Sequence, residues 1–142
     1  MRVDFYILPD QQTRQLQSFA CKLTEKAWTQ GHRIFVYTES DQQSRMMDEL
    51  LWTFRDGSFV PHGLQGDSGT EQQPVVIGHQ LPAPLDRDLV INLTTQLVDT
   101  PRMTRLAEIV NQEPARKQAS REHYRYFKSR QHELHHHDIH QT

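Results

Sequence analysis

Several features that mark specialised proteins are missing from this chain. It has a single cysteine, Cys21, so no disulfide can close within it, as suits a reducing cytoplasm. Cys21 lies in an amphipathic stretch and reads as a packing residue. No apolar run approaches the roughly 20 residues needed to cross a bilayer. The opening Met1-Arg2-Val3-Asp4-Phe5 lacks the cationic, apolar and small-residue sections of a secretory leader. A cytoplasmic protein with no membrane association is expected. The net charge of −2 gives no general attraction for nucleic acid. What remains is ordinary: 142 residues, 35% hydrophobic and 24% charged, enough for one globular domain with a real core.

Periodicity organises that domain. Val3 to Leu8 is a short apolar run stopped by Pro9-Asp10, as a buried strand would be. From Gln11 to Gln30 the apolar residues Leu16, Phe19, Ala20, Leu23 and Ala27 follow one helical face, and Gly31 supplies the stop. Ile34 to Tyr37 reads as a second strand. Asp41 to Phe54 is helical through Met46, Met47, Leu50, Leu51 and Phe54. Arg55 to Pro74 reads as a polar loop broken by Phe59-Val60-Pro61-His62. Val75 to Ile77 and Leu89 to Leu93 are further strands. For Leu106 to Val110, Pro101 could open a helix, yet Ile109-Val110 favours an edge strand. Pro114 opens a last helix to about Arg130, with Ala115, Ala119, Tyr126 and Phe127 facing inward. Strands alternating with helices predict a three-layer α/β/α domain on a mostly parallel sheet, over residues 1–131. Residues 132–142 read as a histidine-rich tail.

The fold class invites a catalytic reading, which the motifs do not support. A dinucleotide fingerprint needs glycines between the first strand and first helix, so that backbone can approach a pyrophosphate. The connection here is Leu8-Pro9-Asp10-Gln11-Gln12-Thr13, and no Gly-Lys-Ser or Gly-Lys-Thr occurs anywhere. The serines lie outside nucleophile-elbow contexts, and Asp48-Glu49 diverge on a helix. A nucleotide-binding α/β enzyme remains the alternative, but no catalytic residue, cofactor or metal is assigned. His132, His135, His136, His137 and His140 could chelate zinc or nickel; without a cysteine or carboxylate framework they read as a flexible tail with incidental metal affinity.

Two segments carry more. From Pro114 onward six basic residues (Arg116, Lys117, Arg121, Arg125, Lys128, Arg130) face three acids (Glu122, Glu133, Asp138). Arg121, Tyr124, Arg125 and Lys128 share one helical face by their spacing. Such a face can hold a carboxylate bidentately with an apolar group beside it, as a peptide's acidic C-terminus offers. A nucleic-acid backbone and a plain solvated helix are the competing readings. Trp52 lies off the buried stripe of its helix and Phe59 sits in a polar loop, so both read either as anchors for a partner or as caps on the core edge.

These residues together resemble the chi subunit family of bacterial DNA polymerase III. The resemblance spans Asp4-Phe5-Tyr6, Asp48-Glu49-Leu50-Leu51-Trp52, Ser58-Phe59-Val60-Pro61-His62, Pro74-Val75-Val76-Ile77, Leu89-Val90-Ile91-Asn92-Leu93 and Ala119-Ser120-Arg121-Glu122-His123-Tyr124. It implies a non-catalytic clamp-loader accessory subunit in DNA replication. The implied partners are the small psi subunit and the acidic C-terminal tail of single-stranded DNA-binding protein, with DNA contacted only indirectly. It places Arg121, Tyr124 and Arg125 at the tail-binding positions, with Trp52 near that pocket, and Phe59 at the psi-facing position. Arg125 stands where a lysine can occur. One departure follows the last helix, where the family tends to have glycine and an aromatic and this chain has Gln131-His132.

Overall fold

The computed structural model describes residues 1–101 and 103–140. In chain order these form β1 (Arg2–Ile7), α1 (Thr13–Thr29), β2 (Ile34–Tyr37), α2 (Asp41–Thr53) and β3 (His62–Leu64). A single 3-10 turn (Thr70–Gln72) precedes β4 (Val75–Gly78), β5 (Leu89–Asn92), β6 (Arg105–Val110), α3 (Pro114–Ser129) and β7 (Glu133–Asp138). The seven strands make one sheet in the order β3-β4-β2-β5-β6-β1-β7, with every pairing parallel. Parallel strands need both faces covered, and two apolar clusters do this. On one face Leu16 and Ala20 of α1 and Met47 and Leu51 of α2 pack on Ile34, Val36, Ile77, Ile91 and Ile109. On the other, Phe127 of α3 packs on Val3, Phe5, Phe35, Val90 and Leu106. This is the predicted α/β/α sandwich. Among the described residues no helix is long and apolar enough to cross a membrane. Burial raises the Cys21 thiol to about 12, which leaves it a packing group rather than a nucleophile.

Helix starts follow local chemistry. The Ser40 side chain accepts the Gln43 N–H at 3.2 Å and caps α2. Glu113 accepts the N–H groups of Ala115 and Arg116, with Pro114 in the first turn of α3.

The helix ends explain the Gln131-His132 departure. After α1, Gly31 takes φ 89°, its N–H bonds Trp28 O, and the His32 N–H bonds Ala27 O. After α3 the same double closure appears: Gln131 takes φ 64°, its N–H bonds Lys128 O, and the His132 N–H bonds Phe127 O. The His132 ring then lies edge-on to Phe127 at 5.8 Å. Gln131-His132 therefore performs the stop and the aromatic contact that glycine and an aromatic would supply, with left-handed backbone forced on a residue carrying Cβ.

Four expectations change. β6 is interior rather than an edge: it lies between β5 and β1, and Leu106 to Val110 are all buried, including Glu108, whose carboxylate meets His123. The expected loop from Arg55 to Pro74 contains β3 and the 3-10 turn. Gly63 permits this, since a Cβ there would lie 2.0 Å from Thr70 Oγ1. Of the residues expected to face inward from α3, Ala115 is exposed, and buried His123 takes its place beside Phe127. Finally, the sheet continues past residue 131. Glu133–Asp138 is an edge strand, with Tyr6 opposite His137 in register. Backbone bonds to the open edge of β1 and partial burial of Leu134 order this polar segment, whose period-2 apolarity is too weak to reveal a strand. Residues 141 and 142 of the expected tail lie outside the described residues.

Candidate functional site

A cavity of about 540 Å³ opens between α3 and the carboxyl ends of β1, β6 and β7. Ligands of open α/β sheets commonly sit outside the carboxyl ends of strands. Phe5 and Ile7 of β1 and Val110 of β6 contribute apolar surface, and α3 contributes Lys117, Ser120, Arg121, Tyr124 and Arg125. His136 and Asp138 line it from β7. The spacing of Lys117, Arg121, Tyr124 and Arg125 puts them on one helical face. The Tyr124 ring leans on Phe5 with centroids 5.6 Å apart, so its position is fixed while 39% of the residue stays exposed.

Arginine ion pairs in the described residues involve Arg2, Arg45, Arg55, Arg87, Arg105 and Arg116. Lys117, Arg121 and Arg125 therefore have no acidic partner among the described residues. Three positive charges around a partly apolar hollow suit an anion bearing an apolar group, with guanidinium forks matching carboxylate geometry.

Two polar contacts, one buried and one part-buried, tie together the elements that form the cavity. His123 Nδ1 on α3 lies 2.7 and 2.9 Å from the two Glu108 oxygens on β6. Burial works against the charged imidazole, but hydrogen bonding and charge from Glu108 raise its pKa above the ordinary value. On the opposite face, His137 Nε2 on β7 lies 2.9 Å from Asp4 Oδ1, and its ring stacks on Tyr6 at 4.5 Å. Asp4 also accepts from Arg2 and Arg105. Burial alone would raise the Asp4 carboxyl, but hydrogen bonds from Arg2 and His137 with the Arg105 charge hold it below the usual value.

A second region lies toward the other edge of the sheet. Trp52 of α2 is 51% exposed and Phe59 is 60% exposed, with ring centroids 5.7 Å apart. Trp52 also packs on His62 of β3 at 4.6 Å. His62 itself is buried, its ring nitrogens facing Val60 O at 2.7 Å and Asp48 O at 3.0 Å. The loop before Phe59 is fastened to α1, because Ser58 Oγ and Arg55 both donate to Glu25.

The structure thus brings Arg121, Tyr124 and Arg125 together, and it separates Trp52 from them. Trp52 does not line the cavity; it joins Phe59. The reason is topological: α2 packs by β3 and β4, while the cavity lies by β1, β6 and β7. Lys128 is also outside the lining. Sequence reasoning missed Lys117 as a cavity residue, although its place four residues before Arg121 was a readable signal. Phe5, His136 and Asp138 carried no local signal, since only strand pairing brings β1 and β7 beneath α3. The strand also divides the histidines. His135 and His137 engage Glu133 and Asp4, while His136 turns to the cavity, so these imidazoles do not converge.

At the β1–α1 junction the Asp10 carboxylate accepts the Gln12 N–H at 3.1 Å. It places negative charge where a dinucleotide fold would receive a phosphate.

Fold and site together define a doubly wound α/β domain with a cationic cavity at the carboxyl end of its sheet. The family model "DNA polymerase III chi subunit, HolC" matches residues 1–135, and the chain belongs to that family. DNA polymerase III subunit chi of Pseudomonas aeruginosa is 36% identical over 139 residues, covering 97% of this chain and 96% of that protein. The Haemophilus influenzae subunit chi is 32% identical over 123 residues, 85% of each chain. The Escherichia coli subunit chi is 30% identical over 130 residues, 87% of this chain and 88% of that one.

Proposed function

We propose that this chain is a non-catalytic adaptor of the replication clamp-loader assembly with two separate docking regions. The cavity at Lys117, Arg121, Tyr124 and Arg125 takes the acidic C-terminal tail of single-stranded DNA-binding protein. Its cations pair with the tail's carboxylates, and the apolar floor at Phe5 and Tyr124 receives the terminal side chain. The Trp52–Phe59 region takes the psi subunit, which joins the chain to the polymerase assembly. Several tails on one coated strand raise the local concentration, so modest individual contacts can hold the machinery at the fork.

The observation that carries this reading is the set of three cations around one partly apolar cavity, none with an acidic partner among the described residues. The test is a binding isotherm with an acidic peptide ending in an apolar residue, with and without its terminal carboxylate. Amidating that terminus should weaken binding at least about tenfold, as loss of a charge-assisted bond does. Equal affinity for both peptides, or tighter binding of a naked oligonucleotide, would overturn the assignment. The enzyme alternative draws no support from the β1–α1 junction, and a nucleotide-dependent rise in melting temperature with hydrolysis would revive it.

A further inference from the structure

One cavity group is left unused by the cationic assignment. His136 lines the hollow from β7, and its Nε2 lies 3.0 Å from Asp138 Oδ1. Asp138 is the one carboxylate lining the hollow among the described residues. An anion drawn by Lys117, Arg121 and Arg125 therefore meets negative charge on the facing wall. Imidazole is the side chain whose charge ordinarily changes between pH 5 and 8, so one proton decides whether that wall carries a net negative charge or none.

We propose that His136 is a proton-dependent contact for the acidic ligand of this cavity, its imidazolium neutralising Asp138 and adding attraction for the ligand's carboxylates. This rests on reading the cavity as an acidic-peptide site and adds a regulation to it.

The groups facing His136 can be named from each wall. α3 presents the cationic side chains Lys117, Arg121 and Arg125 and the phenol of Tyr124. β7 presents Asp138. β1 presents Phe5 and Ile7, and the end of β6 presents Val110, Asn111 and Gln112, none of which titrates. The buried His123–Glu108 pair, between α3 and β6, and the His137–Asp4 and His135–Glu133 contacts of β7 lie outside the lining and are further sources of a pH effect. Comparison with a His136 variant separates its effect from theirs. A bound anion favours the imidazolium, so binding takes up protons and affinity rises as pH falls.

The experiment titrates the full chain with the acidic peptide bearing a free C-terminal carboxylate, from pH 8 to pH 5.5, by fluorescence anisotropy. Peptide carboxylates remain largely ionised over that range. Affinity should rise about threefold to fivefold on acidification, the scale of an exposed ion pair. His136→Gln should change less than about twofold. Asp138→Asn, which keeps the imidazole and removes the opposing charge, should bind more tightly than the parent chain at pH 8. An identical pH slope in the parent chain and His136→Gln would overturn the proposal while leaving the peptide site intact. No peptide binding at any pH would overturn both. Calorimetry in two buffers of different ionisation enthalpy should show net proton uptake in the parent chain and its loss in His136→Gln.

Discussion

The cavity beside β7 and the aromatic region beside β3 differ in chemistry and in exposure at the two ends of one sheet. The first is concave and cationic, with Lys117, Arg121 and Arg125 around a floor at Phe5. The second is exposed and aromatic, with Trp52 51% and Phe59 60% exposed, Trp52 packed on His62 and the loop before Phe59 tethered to Glu25. Charge gives the cavity reach and salt sensitivity; aromatic area gives the other region short-range affinity that salt barely touches. Because α2 and α3 lie on opposite faces of the sheet, the two regions do not share residues.

That separation can be broken from below. Phe127 is fully buried beneath α3, so Phe127→Ala should cost about 3–5 kcal/mol in denaturant unfolding. Trp52→Ala, on the exposed region, should stay within about 1 kcal/mol in the same measurement. If psi docks at the aromatic region, Phe59→Ala and Trp52→Ala should each weaken that complex by about 2 kcal/mol or more and leave acidic-peptide affinity unchanged. Surface plasmon resonance with both ligands on one preparation checks this. Arg121→Ala or Arg125→Ala should show the reverse pattern, losing about 1.5–3 kcal/mol for the peptide. Raising salt should weaken the peptide complex far more than the psi complex. Parallel losses for both ligands in either set would collapse the two regions into one.

Smaller effects sharpen the picture of how β7 is held. The Asp4 carboxyl has a lowered folded-state pKa, so its contribution is fully present above the unfolded value, near pH ~4. It is lost as pH falls through the still lower folded value. Asp4→Asn should therefore flatten the acid limb of a melting-temperature profile. Least of all, Gln131→Gly should stabilise the chain by about 0.5–1 kcal/mol by relieving the left-handed residue after α3.

Much of the fold was legible because its central strands declare themselves. Ile34-Phe35-Val36 and Val75-Val76-Ile77 are continuous apolar runs, as a sheet buried on both faces requires. The edges were not legible. β3 is three residues long, and β7 reads Glu-Leu-His-His-His-Asp, a composition whose pairing depends on the open side of β1. The α3 part of the site followed from helical spacing at Arg121, Tyr124 and Arg125. The positions of Trp52 and His136 did not, because each is set by contacts between elements far apart in the chain.

By itself, then, the sequence determined the alternation of strands and helices, the cationic face of α3 and the absence of a glycine-rich phosphate loop. These follow from local periodicity and residue chemistry. Only the tertiary structure decided that β7 closes the sheet, that Trp52 stands with Phe59, and that His136 and Asp138 face the three cations. Strand order is a long-range choice made by burial and backbone pairing, and no window of neighbouring residues contains it.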